Sequence, residues 1–474
     1  MLSLLIQTSL KLKPRSTTKC DLSYSSLKCI LEHIEANKRF QLALRCPDIR
    51  PADKQTPLHV NYLVFNPLCI IVNETVYKLG IYRQFPKNHT VPDYFKDIND
   101  SGGARFDLDR FGREDWESEN VLTPGDIPTS NPMHIWHNRT GAVWDNYVQA
   151  SNRRLDALER QQETPEIRQE KNQIRAAVFS DAFVQRDDPV PFKTLLQLTV
   201  VKGTDKLKTE FMEGTAKKPE AMKYLLKKFL DDRAFPIRVK TLNMSAEKCA
   251  LRLPLGIQFH FENFCTTPHL AHLLSFPIFD PRSFPLHTIF VDGDNPFDLE
   301  KNHEHPVIRN SKNIVLRPQD RDFDGNWFDI VMKYRSNEHV RLKRCSFSIQ
   351  QYERVVDMVI EDQREIGKLY SFGSLNLNIL EGVLVALSQR PGAKVFMERR
   401  LVVLPMNSKS SLSVYVRTGI SAEEGLGNCS MWIQVKSIHE EEEGFTEEDA
   451  LIIYVVLCSV AFFAGVMLRR YMKH

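Results

Sequence analysis

The chain has 474 residues, 42% of them hydrophobic and 26% charged, a balance that excludes global disorder and leaves room for two or three domains. Sixty-three Lys and Arg against 60 Asp and Glu give a net charge of +3, too thin a surplus over this length to build a phosphate-binding surface, so no nucleic-acid partner is expected. Nine cysteines, widely spaced and with no C-x-x-C pair, argue against a disulfide framework and against structural zinc.

Residues 1–20 read as a basic tail, with Lys11, Lys13, Arg15 and Lys19 and no acid. Residues 21–54 read as a compact helical module. Leu27, Ile30, Leu31 and Ile34 recur at i, i+3, i+4 and i+7, one face of a helix capped by Ser23 or Ser25. Asn37 is placed to cap a second helix carrying Phe40, Ala43 and Leu44, which Cys46-Pro47 ends. Residues 55–136 read as β-rich: strands near 58–64, 68–72 and 76–82, with a turn at Asn73-Glu74, then a loop rich in Asp, Gly and Pro.

Residues 137–190 read as a charged helical hairpin, divided at Thr164-Pro165 and held by thin apolar stripes (Val148, Leu155 and Leu158; Ile167, Ile174 and Val178). Such a spacer should stand exposed and mobile beside the body. From 191 to 438 strands alternate with helices. Ile289, Val315 and Val340 lie 26 and 25 residues apart, the period of a leucine-rich repeat. An ordinary α/β layered domain fits the same alternation. Helices are expected at 220–230, 328–334 and 350–363, the last burying Tyr352, Val355, Val356, Val359 and Ile360. Strands 402–416 and 431–438 should pair.

An acidic linker, 439–449, leads into 450–468, nineteen residues without a charge. As a helix this run would be about 28 Å long, close to the hydrocarbon thickness of a bilayer. Leu451, Ile452, Ile453, Val455, Val456, Phe462, Phe463 and Leu468 would face lipid, and Arg469, Arg470 and Lys473 follow at once. The expectation is a single transmembrane helix at the C-terminus, with the lipid bilayer as a partner and the body in the cytosol.

Asp320, Asp322, Asp324 and Gly325 spell the first half of a calcium loop, but Val331 stands where a bidentate Glu is needed. His303-Glu304-His305 and the pairs His134/His137 and His269/His272 lack a third ligand at a zinc spacing. No P-loop, G-x-S-x-G, G-x-G-x-x-G or kinase signature occurs. No metal, no cofactor and no catalytic residue is expected, and the chain is not read as an enzyme.

The run LSYSSLKCILEHIEANKRFQLALRCPDIR from Leu22 to Arg50 is similar to the opening of a large nematode family of uncharacterised proteins. KLGIYRQFP at 78–86, LTPGDI at 122–127, LRLPLGIQF at 251–259 and the stretch around 401–416 resemble the same family. Its opening looks like a degenerate F-box, a helical module that docks a Skp-type adaptor of cullin ubiquitin ligases. No Pro follows Leu22, and no Trp closes the module. The resemblance implies that Leu22, Leu27, Ile30, Leu31 and Leu44 would contact such an adaptor.

These readings give an α+β chain of successive modules: a small helical N-terminal module, a β-rich segment, a charged hairpin, an α/β leucine-rich-repeat-like body and a C-terminal transmembrane helix. The expected function is a membrane-anchored, protein-binding adaptor that recruits substrate to a ubiquitin ligase. The alternative is a membrane-tethered structural or signalling module without a ligase link.

Overall fold

The structure is a computed structural model, and it describes residues 23–66, 69–115, 121–128, 142–213, 217–244, 250–266, 274, 276–293, 305–318, 327–334, 336–374, 376–418 and 429–438. Three short helices open it: α1 (Tyr24–His33), α2 (Ala36–Arg45) and α3 (Arg50–Lys54). Strands β1 (His59–Asn66), β2 (Cys69–Val72) and β3 (Thr75–Gln84) follow. An insertion then carries α4 (Asp93–Asp100), the small pair β4 (Asp107–Leu108) and β5 (Glu114–Asp115), β6 (Ile127–Pro128), α5 (Ala142–Glu159) and α6 (Pro165–Arg186).

The chain returns to the sheet with β7 (Lys193–Lys202) and β8 (Asp205–Met212), then α7 (Lys218–Leu230), β9 (Ile237–Asn243), β10 (Ala250–Leu251) and β11 (Phe259–Thr266). Strands β12 (Thr288–Gly293), β13 (Asn313–Pro318), β14 (His339–Leu342) and β15 (Leu369–Ser374) alternate with α8 (Pro306–Arg309), α9 (Trp327–Lys333) and α10 (Ile349–Glu361). Helix α11 (Leu377–Ser388) precedes the closing meander of β16 (Lys394–Phe396), β17 (Leu401–Pro405), β18 (Ser410–Thr418) and β19 (Cys429–Ser437).

Fifteen of these strands form one mixed sheet, in the order β16-β17-β18-β19-β15-β14-β13-β12-β11-β9-β1-β2-β3-β7-β8. This corrects the expected α+β series of separate modules. Strand β1 runs parallel to β9, with His59 beside Arg238. Strand β3 pairs with β7 over ten residues, from Thr75↔Lys202 to Gln84↔Lys193. The supposed β-rich segment and the supposed repeat body are thus two parts of one ladder. The physical reason is that buried strands must satisfy backbone donors and acceptors on both sides, whatever the sequence distance to the partner.

In the main sheet β9, β11, β12, β13, β14 and β15 are parallel, and each pairs with the next. Phe264 sits beside Ile289, Ile289 beside Ile314, Ile314 beside Val340 and Val340 beside Tyr370. That row and the parallel one through Val291, Leu316, Leu342 and Phe372 are buried in the main core. Helices α8, α9, α10 and α11 add Ile308, Val331, Val355 and Val383 to the same cluster. In α10, Ser348 and Gln351 form a capping box, and Tyr352, Val355, Val356 and Val359 are buried as the spacing predicts.

The expected transmembrane helix, 450–468 with Leu451 to Leu468, falls outside the residues described. Among the described residues no helix is long and apolar enough to cross a membrane.

The helical hairpin forms as expected at its turn, with Thr164 capping α6 and Pro165 in its first turn. Its second arm does not stand free. Ile174, Ala176 and Ser180 are buried, Asn172 donates to Asp97 on α4 at 3.0 Å, and Phe179 meets Phe95 edge-on.

Candidate interaction surface

Helix α2 is fixed to the sheet by polar contacts that sequence spacing did not reveal. Glu35, not Asn37, caps it, accepting from the Asn37 and Lys38 amides. Asn37 lies inside the helix, where its Nδ2 donates to the Val72 carbonyl and its Oδ1 accepts from the Tyr77 hydroxyl. The expected turn at Asn73 is present with φ 54, a left-handed conformation Asn tolerates. Its side chain accepts from the Asn61 and Tyr62 amides and donates to Glu35.

Beneath lies a buried charge triad. Arg39 Nε donates to Asp53 Oδ1 at 2.8 Å, and Arg233 Nη2 donates to Asp53 Oδ2 at 3.1 Å. Arg39 also donates to the carbonyls of Asp53, Thr56 and Pro57. Burial lowers the Arg233 pKa to about 10, while Asp53 works in the opposite direction. Phe40 stacks on Phe229 of α7 at 4.5 Å, and Tyr77 meets Phe229 edge-on.

Helix α1 is held more lightly, and Ser23 caps it. Of the five residues assigned to partner contact, Leu31 is 1% exposed and belongs to the protein's own interior. Leu27 is half-buried, and Leu44 packs at the edge of the main core. Ile30 is 45% exposed, and Leu22 lies outside the described residues. Two further large apolar side chains on these helices, Tyr24 and Leu42, are exposed.

The opposite face of the sheet carries a second row of side chains, and it is buried as well. Side chains there alternate with the core row: Cys265, Phe290, Val315, Arg341, Ser371, Trp432 and Tyr415 stand side by side across seven strands. Tyr415 and Trp432 are stacked 13° from parallel, and the Arg417 guanidinium lies 4.5 Å over the Trp432 ring. The Arg317 guanidinium covers Phe290 at 4.9 Å. Sequence reading missed this face, although 410–418 alternates cleanly: Leu412, Val414 and Val416 inward, Ser411, Ser413, Tyr415 and Arg417 outward.

Two groupings resemble catalytic dyads or triads; the first fails on geometry and the second on the basicity of its ring. Ser283 Oγ and Asp280 Oδ2 both approach the same nitrogen of His260, Nδ1, at 3.5 and 3.9 Å. A working triad needs them on opposite ring nitrogens. His339 Nε2 lies 2.9 Å from Ser371 Oγ, but burial, with Arg341 acting the same way, lowers the ring pKa to about 3. So weak a base does not activate a hydroxyl near neutral pH. A cleft of about 230 Å³ lies between 230–237 and 255–258, beside Arg233 and Leu255. It is smaller than the ~300 Å³ at which ligand pockets begin.

Among the described residues no group of three His, Cys, Asp or Glu could hold a metal ion. The sequence candidates at 320–325, at His303-Glu304, at His134/His137 and at His269/His272 lie outside the described residues. His305 is described, and it caps α8.

Two stretches quoted for the family resemblance meet in space. Strand β6 pairs with β10, Ile127 beside Leu251. Buried Asp126 accepts from Lys223 at 2.9 Å and from Arg252 at 2.9 Å. Burial alone would raise its pKa, but these bonds and those from Thr123 lower it. Gly125 has φ +96, and a Cβ there would lie 2.6 Å from the Leu253 carbonyl oxygen, so only glycine fits.

Residues 217–376, from α7 to the start of α11, match the family described as a domain of unknown function, DUF3557. A DUF3557 domain is therefore present at 217–376. It covers the parallel run β9 to β15, and with it Phe290, Arg341 and Ser371 of the second face. Trp432, Tyr415 and helices α1 to α3 lie outside it. No curated protein matches the chain, and no solved structure does.

Proposed function

We propose that the protein is a protein-binding adaptor whose N-terminal helices dock a partner protein. The observation that carries this reading is the division of labour on α1. Leu31 points inward at 1% exposure while Ile30 and Tyr24 stand 45% and 54% exposed, although apolar side chains of this size gain about 1.5–3 kcal/mol each from full burial. The rigid attachment through Arg39, Asp53 and Arg233 suits a docking element, because a partner held there keeps a fixed orientation to the sheet.

The similarity of 22–50 to an F-box in a nematode family makes a Skp-type adaptor the partner to test. Attachment to a bilayer through 450–468 rests on the apolar sequence alone.

Full-length protein immobilised on beads should retain a purified Skp-type adaptor. Ile30→Glu should cut retention about tenfold or more while leaving the melting temperature unchanged, because the side chain already faces water. Wild-type protein that retains no adaptor removes the ligase role. Retention unaffected by Ile30→Glu moves the docking site off α1. Deleting 450–468 should release the chain from membranes on carbonate extraction, and a deletion that stays in the pellet ends the attachment idea.

A further inference from the structure

Among the described strands β8 lies at one end of the sheet, with β7 on one side and no strand on the other. An edge of this kind presents unpaired backbone N–H and C=O groups, which natural proteins usually blunt or use. Here the strand carries exposed apolar side chains as well. Leu207 is 54% and Phe211 47% exposed. The Phe211 ring is already positioned by Tyr82, 4.6 Å away on β3.

The order of residues along β8 is self-complementary. Leu207-Lys208-Thr209-Glu210-Phe211 reads apolar, cation, neutral, anion, apolar about Thr209. Laid antiparallel on a second copy with Thr209 on the two-fold axis, Lys208 meets Glu210 twice and Leu207 meets Phe211 twice. Opposite charges and apolar pairs directly across an antiparallel ladder are the stabilising combinations. Moving the axis by half a residue, to between Lys208 and Thr209 or between Thr209 and Glu210, loses the charge match. Within one chain Lys208 and Glu210 already pair along the strand, so both charged groups stand on the same side of it and can exchange partners.

We infer that β8 is a homodimer contact, through which two copies of this chain join their sheets edge to edge. The proposal is independent of the adaptor reading, since α1 and β8 belong to different parts of the fold. A bulge at Leu207, where Val200 pairs with Lys208 and Val201 with Lys206, ends the regular ladder. That keeps the contact to about five residues and well under the ~1,000 Å² of a stable interface. The dimer is therefore weak and concentration-dependent.

The test uses full-length protein in mild detergent. Thr209→Cys should form a covalent dimer under a mild oxidant. Asp205→Cys should form none beyond the wild-type background, because two copies of position 205 would stand about 27 Å apart. Adding Lys208→Glu, or Glu210→Lys, to Thr209→Cys should cut the dimer yield about tenfold, since each places two like-charged pairs across the contact. Combining the two reversals should restore it to near the starting yield. Equal crosslinking at 205 and 209 would overturn the proposal. So would single reversals without effect, or a double reversal that fails to rescue while keeping the wild-type melting temperature.

Discussion

The two ends of the sheet are built differently. From β9 through β11 to β15, with β10 set aside in its own pair, each main-sheet strand joins the next, and the inward rows are apolar throughout. The end containing β1, β2, β3, β7 and β8 closes over long distances. His59 lies beside Arg238, Gln84 lies beside Lys193, and α4, α5 and α6 are looped out between β3 and β7. Its seam with the N-terminal helices is fastened by buried polar groups, among them Arg39, Asp53, Arg233 and Asn37. Short-range closure lets apolar packing do most of the work. Long-range closure adds directional bonds that fix which remote segments meet.

The largest effect should come from breaking that seam. Asp53→Ala leaves two buried guanidinium groups facing each other without their shared carboxylate. A loss of about 3–5 kcal/mol is expected in chemical denaturation. Hydrogen exchange should rise first in 24–84 and only later in 288–374. Uniform loss of protection across both ends would show that the sheet opens as one unit, and the comparison would fail.

A smaller loss should follow in the parallel end. Val355 is fully buried on α10, and Val355→Ala removes two methyl groups from a site lined by neighbouring side chains. About 2 kcal/mol is expected, with exchange rising locally around 349–374. A change below about 0.5 kcal/mol would mean that the site collapses around the smaller residue.

The smallest effect concerns pH. The folded His339 has its pKa lowered to about 3 by burial, with Arg341 acting the same way, against about 6.5 in an unfolded chain. Between those values the unfolded state binds more protons, so stability is intact above pH 6.5 and falls as the pH drops through the window. Because the residue is only half-buried, the loss at pH 5 should be about 1 kcal/mol, below the ~2 of a fully buried one. His339→Gln should flatten the stability curve between pH 7 and 5. An unchanged slope would assign the acid sensitivity to other groups.

Sequence periodicity was a good guide where structure is local. Strands near 289, 315 and 340 and the buried stripe of α10 could be read from spacing, because a helix or a buried strand imposes its own period on its apolar residues. The hairpin turn at Thr164-Pro165 and the Asn73 turn were equally legible, since each depends on backbone preferences of one or two residues. The cap of α2 is Glu35 rather than Asn37 although Asn is the better cap by type, because the contacts to Val72 and Tyr77 draw Asn37 inward. The partner-contact group split for a similar reason. Leu31 and Ile30 are adjacent and equally apolar, and only the packing beneath α1 separates them.

Sequence alone determined the local elements, because φ/ψ preference, capping and apolar period act over a few residues. Tertiary structure alone decided that β1 joins β9, that β3 joins β7 across an inserted hairpin, and that the row from Cys265 to Tyr415 shares one face. Those choices rest on backbone hydrogen bonds and buried charges between segments far apart in the chain, and no local period records them.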